Sequence, residues 1–476
     1  MKDHNHDDLR SFLKEAEQKV GLHRITRAVD VNTELPALCS ETKKPILFEN
    51  LKGYEGYRVV DCLLRDRTLQ ALAFKCPRET LVQEYARVLG RGPGPTCLLP
   101  EGPVKEIIRT GDAVNLKHLP AVTPSEGIEV PHMELKPADF HIPIISSGIV
   151  TTKDPHTNVH NCAYSMAAVV DEKCAHCYLF SAHTNRNIAA YTERGEKAPM
   201  ALVIGCHPAY ELAAVYTGPH EGHSEYALAA GIFNEAVALV QCETVDLQVP
   251  AYAEIIIEGY IGPEHHRYLH TSAHTDTHGP IVSYEPCFDV TAITMRRDPI
   301  YRHIQPTRFT DHHAICEFMI SPLLLAMLQG KGINAHDVSV PMHSCINCAV
   351  IQMTPTCREE VKEALLTALT MPFLPRLAIA VDEDIDIHDL NDIIYALSVR
   401  VQPERGIVTL DGVRSFDLEP TGKIIPGLEQ TTLRSGGRYG IDATKPPLCE
   451  PQERLRYQRL RARGEGKVFL KDFLDS

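Results

Sequence analysis

Between residues 140 and 305 the chain reads as one strand-like run after another: HIPIISSGIVTT, CAYSMAAVVD, ALVIG, VALVQCETVDLQVP, AEIIIEG and CFDVTAITMR. No other feature constrains the fold as much. Small and β-branched apolar residues recur in segments of strand length, with polar stretches between them. Such a set must bury one face and protect its edges, which a closed β-barrel or a compact sheet achieves. On either side the pattern changes. Leu9, Phe12, Leu13, Ala16 and Val20 share a helical face over residues 7–20, and Gly21 follows as a stop. PILFENL and LQALAFK then have a strand-like rhythm, and LGRGPGPTCLLPEGP (89–103) predicts a loop and a boundary. Residues 315–330 and 358–371 predict helices. The second has Val361, Leu365, Ala368 and Leu369 on one face and Pro372 at its end. RLAIAVDEDIDI (376–387) predicts a strand entering an acidic turn, and the tail from 450 is charged and helix-prone.

Several function classes lack support. A net charge of −14 argues against nucleic acid as the partner, because phosphate binding needs a basic face. The start, MKDHNHDDLRSFLKEAE, has no apolar stretch after a basic segment, so no signal peptide is expected. No apolar run reaches roughly 18 residues, so no membrane span is expected. The fifteen cysteines are irregularly spaced and read as free thiols of a cytoplasmic protein. Two C-x-x-C pairs, Cys174/Cys177 and Cys345/Cys348, lie too far apart for a zinc ribbon and read as buried or incidental thiols. No dinucleotide, phosphate-loop, nucleophile-elbow or H-E-x-x-H motif is present. The acidic run DEDIDIHDLND (382–392) lacks the glycine of a calcium-binding loop, and reads as a solvated turn with a helix cap.

Two sets of polar residues remain. Asn161, His183 and Glu225 stand at the ends of strand-like segments or before a helix. An amide oxygen, an imidazole and a carboxylate make a mixed oxygen and nitrogen set, suited to Mn²⁺, Mg²⁺ or Fe²⁺. By spacing alone, three unrelated polar residues is the plainer reading. The second set lies in HHRYLHTSAHTDTHGPIVSYEP (265–286), where His266, His270, His274 and His278 recur every fourth position. Thr271, Ser272, Thr275, Asp276 and Thr277 compete for backbone hydrogen bonds and disfavour a helix, so a loop is expected.

The ordered motifs resemble the UbiD-type decarboxylases, enzymes that use prenylated FMN. LRSFLKEAEQKVGLHRI and KKPILFENLKGYEG carry the resemblance, followed by PVKEIIRTGDAVNLKHLPAVTP and GIVTTKDPHTNVHNCAYSM. VPAYAEIIIEG, AITMRRDPIY and VDEDIDIHDLNDIIYALSVRVQP complete it, over residues 9 to 415. It implies a mixed α/β chain in three parts: an N-terminal α/β domain (1–115), a central flavin-reductase-like split β-barrel that binds prenylated FMN (116–310), and a C-terminal α/β oligomerisation domain with a terminal helix (311–476). It also implies that Asn161, His183 and Glu225 hold a divalent metal on the flavin phosphate, with K⁺ nearby. Ala163, Tyr164, Met166 and Ala182 then border the flavin, and Arg376 stands where relatives have a phosphate-binding lysine. A flavin prenyltransferase would supply the cofactor, and the chain would form a homo-oligomer, a dimer or a hexamer.

The resemblance breaks at the Glu–Arg–Glu network of the family. Met166 occupies the arginine position, and His278 and Ser283 occupy the two glutamate positions around Gly279-Pro280. A proton must still replace CO₂. His278 is the favoured donor, since imidazole titrates near neutrality. Glu285 is a second candidate if the loop bulges, and neither is also open. Without the arginine, an acid whose ring is already electron-poor is expected, such as an aryl-CoA thioester with an ortho carboxylate; phthaloyl-CoA is the specific expectation. The alternative is an inactive scaffold or binding subunit of a multi-subunit carboxylase.

Overall fold

The structure is a computed structural model that describes residues 8–123, 143–216, 218, 222, 224–270, 281–305, 310–344, 346–371, 375–416, 419, 421–428 and 433–460, with a few further tail positions. At its centre six antiparallel strands close into a barrel. The barrel strands are β1 (Ile144–Lys153), β2 (His160–Val169), β3 (Cys174–Tyr178), β4 (Ala198–Ile204), β5 (Ile255–His270) and β6 (Ile281–Met295). Around the ring they run β5–β4–β1–β2–β3–β6, and the β5–β6 pairing closes it. One face of each strand fills the interior with Ile145, Val150, Ala167, Cys177, Leu202, Ile257 and Phe288, among others. Gly259 sits at a register shift in β5, where an added Cβ would come within 2.0 Å of the Asp289 carbonyl oxygen. Any side chain there would force β5 and β6 apart.

Four helices pack on the barrel: α1 (Ala182–Thr192), α2 (Pro208–Ala214), α3 (Glu225–Phe233) and α4 (Asp311–Gly330). A second core joins Ile149, Cys162, Val203 and Ile256 of the barrel to Leu212, Ala229, Ile315 and Phe318 of these helices, and to Phe12 and Tyr85 near the N-terminus. The N-terminal sheet contains His23–Ile25, Ile46–Phe48, Arg58–Asp61 and, returning from beyond the barrel, Ile300–Arg302. Past α4 a further sheet orders Ala335–Ser339, Cys348–Met353, Leu377–Val381, Leu433–Ala443 and Ile407–Phe416. The first helix is Leu9–Lys19, opened by an Asp8/Ser11 capping box, with Leu9, Phe12, Leu13 and Ala16 buried. The second expected C-terminal helix is Arg358–Leu369.

Several expectations need correction. LQALAFK lies in a helix, Arg67–Phe74, capped by Asp66. The stretch 89–103 is stitched into the middle of the molecule: Thr96–Leu99 pairs in parallel with Val237–Gln241. Gly94 permits this, because a Cβ there would come within 2.6 Å of the Ala230 backbone in α3. The two described ends of the expected loop at 265–286 are strand, since β5 extends to His270 and β6 starts at Ile281; residues 271–280 lie outside the described residues. Over 265–270 and 281–286 the two strands pair with each other, so cross-strand bonds satisfy backbone groups that a loop would leave to water. The acidic run is not solvated throughout. Asp389 does cap the helix Leu390–Arg400, yet Asp382 is buried against Lys445 and Arg454, and Asp384 pairs with Arg400. Two of the expected free thiols, Cys174 and Cys287, form a disulfide between neighbouring strands. Cys177 is buried in the barrel core, and Cys345 lies outside the described residues. Finally, α4 is long and apolar enough to cross a membrane by length and composition alone, but most of it is buried inside this protein. It serves as a core helix.

Candidate active site

A cavity opens between the barrel and the C-terminal sheet. Ala163, Tyr164 and Met166 of β2 form one wall with Tyr178 of β3, and Ala182 and His183 at the start of α1 form its rim. His312, Ile315 and Met319 of α4 face them. Arg376, Glu419 and Arg438 approach from the C-terminal sheet.

A buried polar cluster adjoins this cavity: Cys162 and His183 line it, while Asn161 and Glu225 lie behind that lining. Asn161 near the start of β2 is buried, and its Nδ2 donates to Thr184 Oγ1 at 2.8 Å. Thr184 follows His183 in the first turn of α1, so the bond ties Asn161 to the helix that carries the imidazole. Among the described residues Asn161 Oδ1 is buried without a hydrogen-bond partner, an expensive state for an amide oxygen. Glu225 begins α3 and is also buried; its Oε2 accepts the Cys162 N–H at 2.6 Å, one residue from Asn161. Burial pushes the Glu225 carboxyl up to about 8. His183 is shifted the other way, below its ordinary value, by burial and then by Arg186. An amide oxygen and a buried carboxyl thus meet at the start of β2, and an imidazole biased to its neutral form stands next in sequence to Thr184, the partner of Asn161. These donor types fit a hard or borderline divalent cation, which would give Asn161 Oδ1 a partner.

Basic groups lie across the cavity. Arg376 Nε is 3.5 Å from Glu419 Oε1. The Arg438 guanidinium donates to the carbonyls of Leu369 and Arg414, and burial lowers its pKa. A phosphate entering here would meet two cations near one carboxylate.

The other end is apolar. Met166 packs with Ile144, Tyr178 and Phe180. Among the described cavity-lining groups at this side, His312 is the titratable imidazole; it is buried and meets the Tyr164 ring edge-on, with centroids 5.7 Å apart. His278 lies outside the described residues. Ser283 is on β6 opposite Tyr268. Glu285 is buried on β6 opposite His266 and does not line the cavity wall. With burial, its charge holds the Cys177 thiol above the usual range.

Sequence reading missed His312, Glu419, Arg438 and a buried ion network. Arg302 is fully buried, forked onto Glu211 at 2.9 and 3.1 Å, with Asp311 at 2.6 Å. Asp311 in turn accepts the N–H groups of Leu63 and Leu64, and Asp61 pairs with His303 at 2.9 Å. The network bolts α2, α4 and the N-terminal sheet together behind the cavity. Its one sequence signal is an arginine and a histidine closing the apolar run PIYRHI, which by itself also fits an exposed strand end.

Models of the 3-octaprenyl-4-hydroxybenzoate carboxy-lyase family match nearly the whole chain: the N-terminal domain over 13–89, the Rift-related domain over 98–309 and the C-terminal domain over 313–443. The chain is 28% identical over 440 residues to an anhydromevalonate phosphate decarboxylase of Methanosarcina mazei, covering 92% of this chain and 96% of that protein. The UbiD-class enzyme HmfF of Pelotomaculum thermopropionicum, solved in complex with FMN, superposes with a TM-score of 0.84 at 28% identity, over 98% of this chain and all of the other. An evolved dimeric form of HmfF in complex with prenylated FMN gives 0.83 at 27%, with the same coverage. The 3,4-dihydroxybenzoic acid decarboxylase of Klebsiella pneumoniae shares the fold, with a TM-score of 0.82 at 20% identity over 98% of this chain and 99% of that one.

Proposed function

The chain belongs to the UbiD family of carboxy-lyases, and from that premise we propose that it decarboxylates a conjugated carboxylic acid, aromatic or α,β-unsaturated, with prenylated FMN and a divalent cation. The observation that carries the reading is Asn161 Oδ1, buried and without a hydrogen-bond partner among the described residues, next to Cys162, whose N–H the buried Glu225 carboxyl accepts. Asn161, His183 and Glu225 would hold the cation, and Arg376 the flavin phosphate, with K⁺ close by. Prenylated FMN, when bound, supplies the electron sink that decarboxylation requires.

The remaining steps fall to this chain. The apolar wall of Met166, Tyr178 and Phe180 receives the flat, conjugated part of the substrate and keeps water from it. Loss of CO₂ leaves a carbon that must take up a proton, and an imidazole is suited to donate it near neutral pH. His278 stands at the acid position of the family; His312 is the described imidazole that lines the cavity from α4, on the side away from the His183 assigned to the cation. With methionine in place of the family's arginine, the substrate carboxylate has no cation at position 166. That favours a substrate activated by its own electron-withdrawing group, for which an aryl-CoA thioester such as phthaloyl-CoA is the specific candidate. The methanogen relative's name adds a phosphorylated unsaturated acid to the panel. Homo-oligomer formation belongs to the same reading.

The test is co-expression with a flavin prenyltransferase under anaerobic conditions. Bound prenylated FMN by absorbance and mass, one divalent metal per chain, and ¹³CO₂ exchange into one member of the panel are the expected results. Wild-type protein that retains neither flavin nor metal would end the proposal.

A further inference from the structure

A half-buried cluster on the outside of the barrel is used by nothing described above. Cys174 and His176 alternate with Ala175 and Cys177 along β3, so the first two share the outer face while the others enter the core. Across the seam Cys287 of β6 stands opposite His176, and Asp289 stands opposite Cys174. One donor atom from each of Cys174, His176 and Cys287 lies within 4.8 Å of the others. In the structure the two sulfurs are joined as a disulfide. The His266 ring of β5 lies parallel to that of His176, with centroids 5.1 Å apart and planes 5° from parallel. The Asp289 carboxylate, 3.8 Å from Cys287 Sγ, is engaged by Lys197 at 2.5 Å.

We propose that, when this disulfide is reduced, Cys174, His176 and Cys287 hold a zinc-type divalent cation, so that the β3–β6 seam alternates between a metal-clamped dithiolate and a metal-free disulfide. A disulfide needs no imidazole within reach of both sulfurs, whereas a thiolate metal site does need a third donor. Two thiolates and one imidazole on adjacent strands leave one tetrahedral position for water. Thiolates select zinc over the magnesium or manganese favoured by the oxygen-rich set at Asn161 and Glu225. All three ligands are half-buried, within reach of solvent. The exchange balances with a small-molecule disulfide as oxidant: the metal dithiolate, R′SSR′ and two protons give the Cys174–Cys287 disulfide, free M²⁺ and two R′SH. Tyr178 lies two residues past His176 on β3 and forms part of the cavity wall, so the seam borders the site without belonging to it. The inference does not depend on the proposed reaction.

Titration of the reduced, full-length chain with Co²⁺ under anaerobic conditions tests it. The expected result is one equivalent bound with a sulfur-to-metal charge-transfer absorption, which oxygen and nitrogen donors in the cavity cannot produce. Cys174→Ser and Cys287→Ser should each abolish that band. His176→Gln should weaken binding at least ~10-fold, whereas Cys449→Ser, an exposed thiol elsewhere, should leave it intact. Adding oxidised glutathione should release the metal and remove two titratable thiols. A reduced wild-type chain without the band, or a band that survives in both serine variants, overturns the proposal. So does a chain that loses two thiols on oxidation but never bound metal. Circular dichroism of each variant separates loss of ligand from loss of fold.

Discussion

The two ends of one strand, β2, differ in kind. At its start Asn161 and the neighbouring Cys162 N–H meet Thr184 and Glu225 in a buried polar cluster with one amide oxygen unsatisfied among the described residues. Five residues on, Met166 sits among Ile144, Tyr178 and Phe180 with no polar demand at all. The first end stores electrostatic cost that a cation would relieve; the second is an ordinary apolar contact. The difference separates two kinds of site: a buried polar cluster suited to the proposed cation at one end, and an apolar wall suited to the proposed conjugated substrate at the other.

The strongest way to break that contrast is at the polar end. Glu225→Gln keeps the size of the side chain and an acceptor for Cys162 N–H but removes the charge. Turnover should fall well over ~100-fold, with metal and flavin lost together in elemental analysis and absorbance of the purified protein. If Glu225→Gln retains both, the polar end is only structural. Next in size is His312→Asn, where loss of a proton donor predicts a drop of about 100-fold in steady-state turnover with flavin content unchanged; full activity there would leave His278 as the donor.

Met166→Arg probes the apolar end directly. An arginine there should bring no gain in turnover, because in the proposed reading its glutamate partners are replaced by His278 and Ser283. Burying an unpaired guanidinium among Ile144, Tyr178 and Phe180 should cost about 2 kcal/mol, read as a lower urea midpoint with no gain in turnover. The smallest effect concerns His207, which caps α2 by accepting the Ala209 N–H and lies edge-on between Phe12 and Phe233. Burial lowers its pKa to about 3. Between that value and the unfolded imidazole's value near 6.5, the unfolded chain binds more protons, so stability must fall as pH drops through this window. The slope is at most about 1.4 kcal/mol per pH unit. His207→Asn, which keeps an acceptor at the cap, should flatten it in pH-dependent thermal melts, while both ends of β2 stay unaltered.

Much of this could be read without coordinates. Alternating or continuous apolar runs announced β1, β2 and β4, and the spacing of Leu9, Phe12, Leu13 and Ala16 announced the first helix, because these patterns depend only on which residues share a face. The reading failed where a segment's state depends on a distant partner. Thr96–Leu99 is a strand only because Val237–Gln241 lies beside it, and residues 265–270 are strand only because β6 returns to pair with them. LQALAFK could alternate or coil; burial of Leu69, Ala73 and Phe74 against the N-terminal core selected the helix.

The same division runs through the site. Sequence by itself supplied the residue types at 161, 183 and 225, and those at 166, 278 and 283 on which the proposed change of acid–base chemistry rests, since motif order singles these positions out. Only the tertiary structure decided that Asn161 reaches α1 through Thr184, that His312 enters the cavity from α4, and that Cys174, His176 and Cys287 meet across a seam. Donor chemistry is a property of a residue, but convergence is a property of three separate strands and helices folded against one core, and no local pattern encodes it.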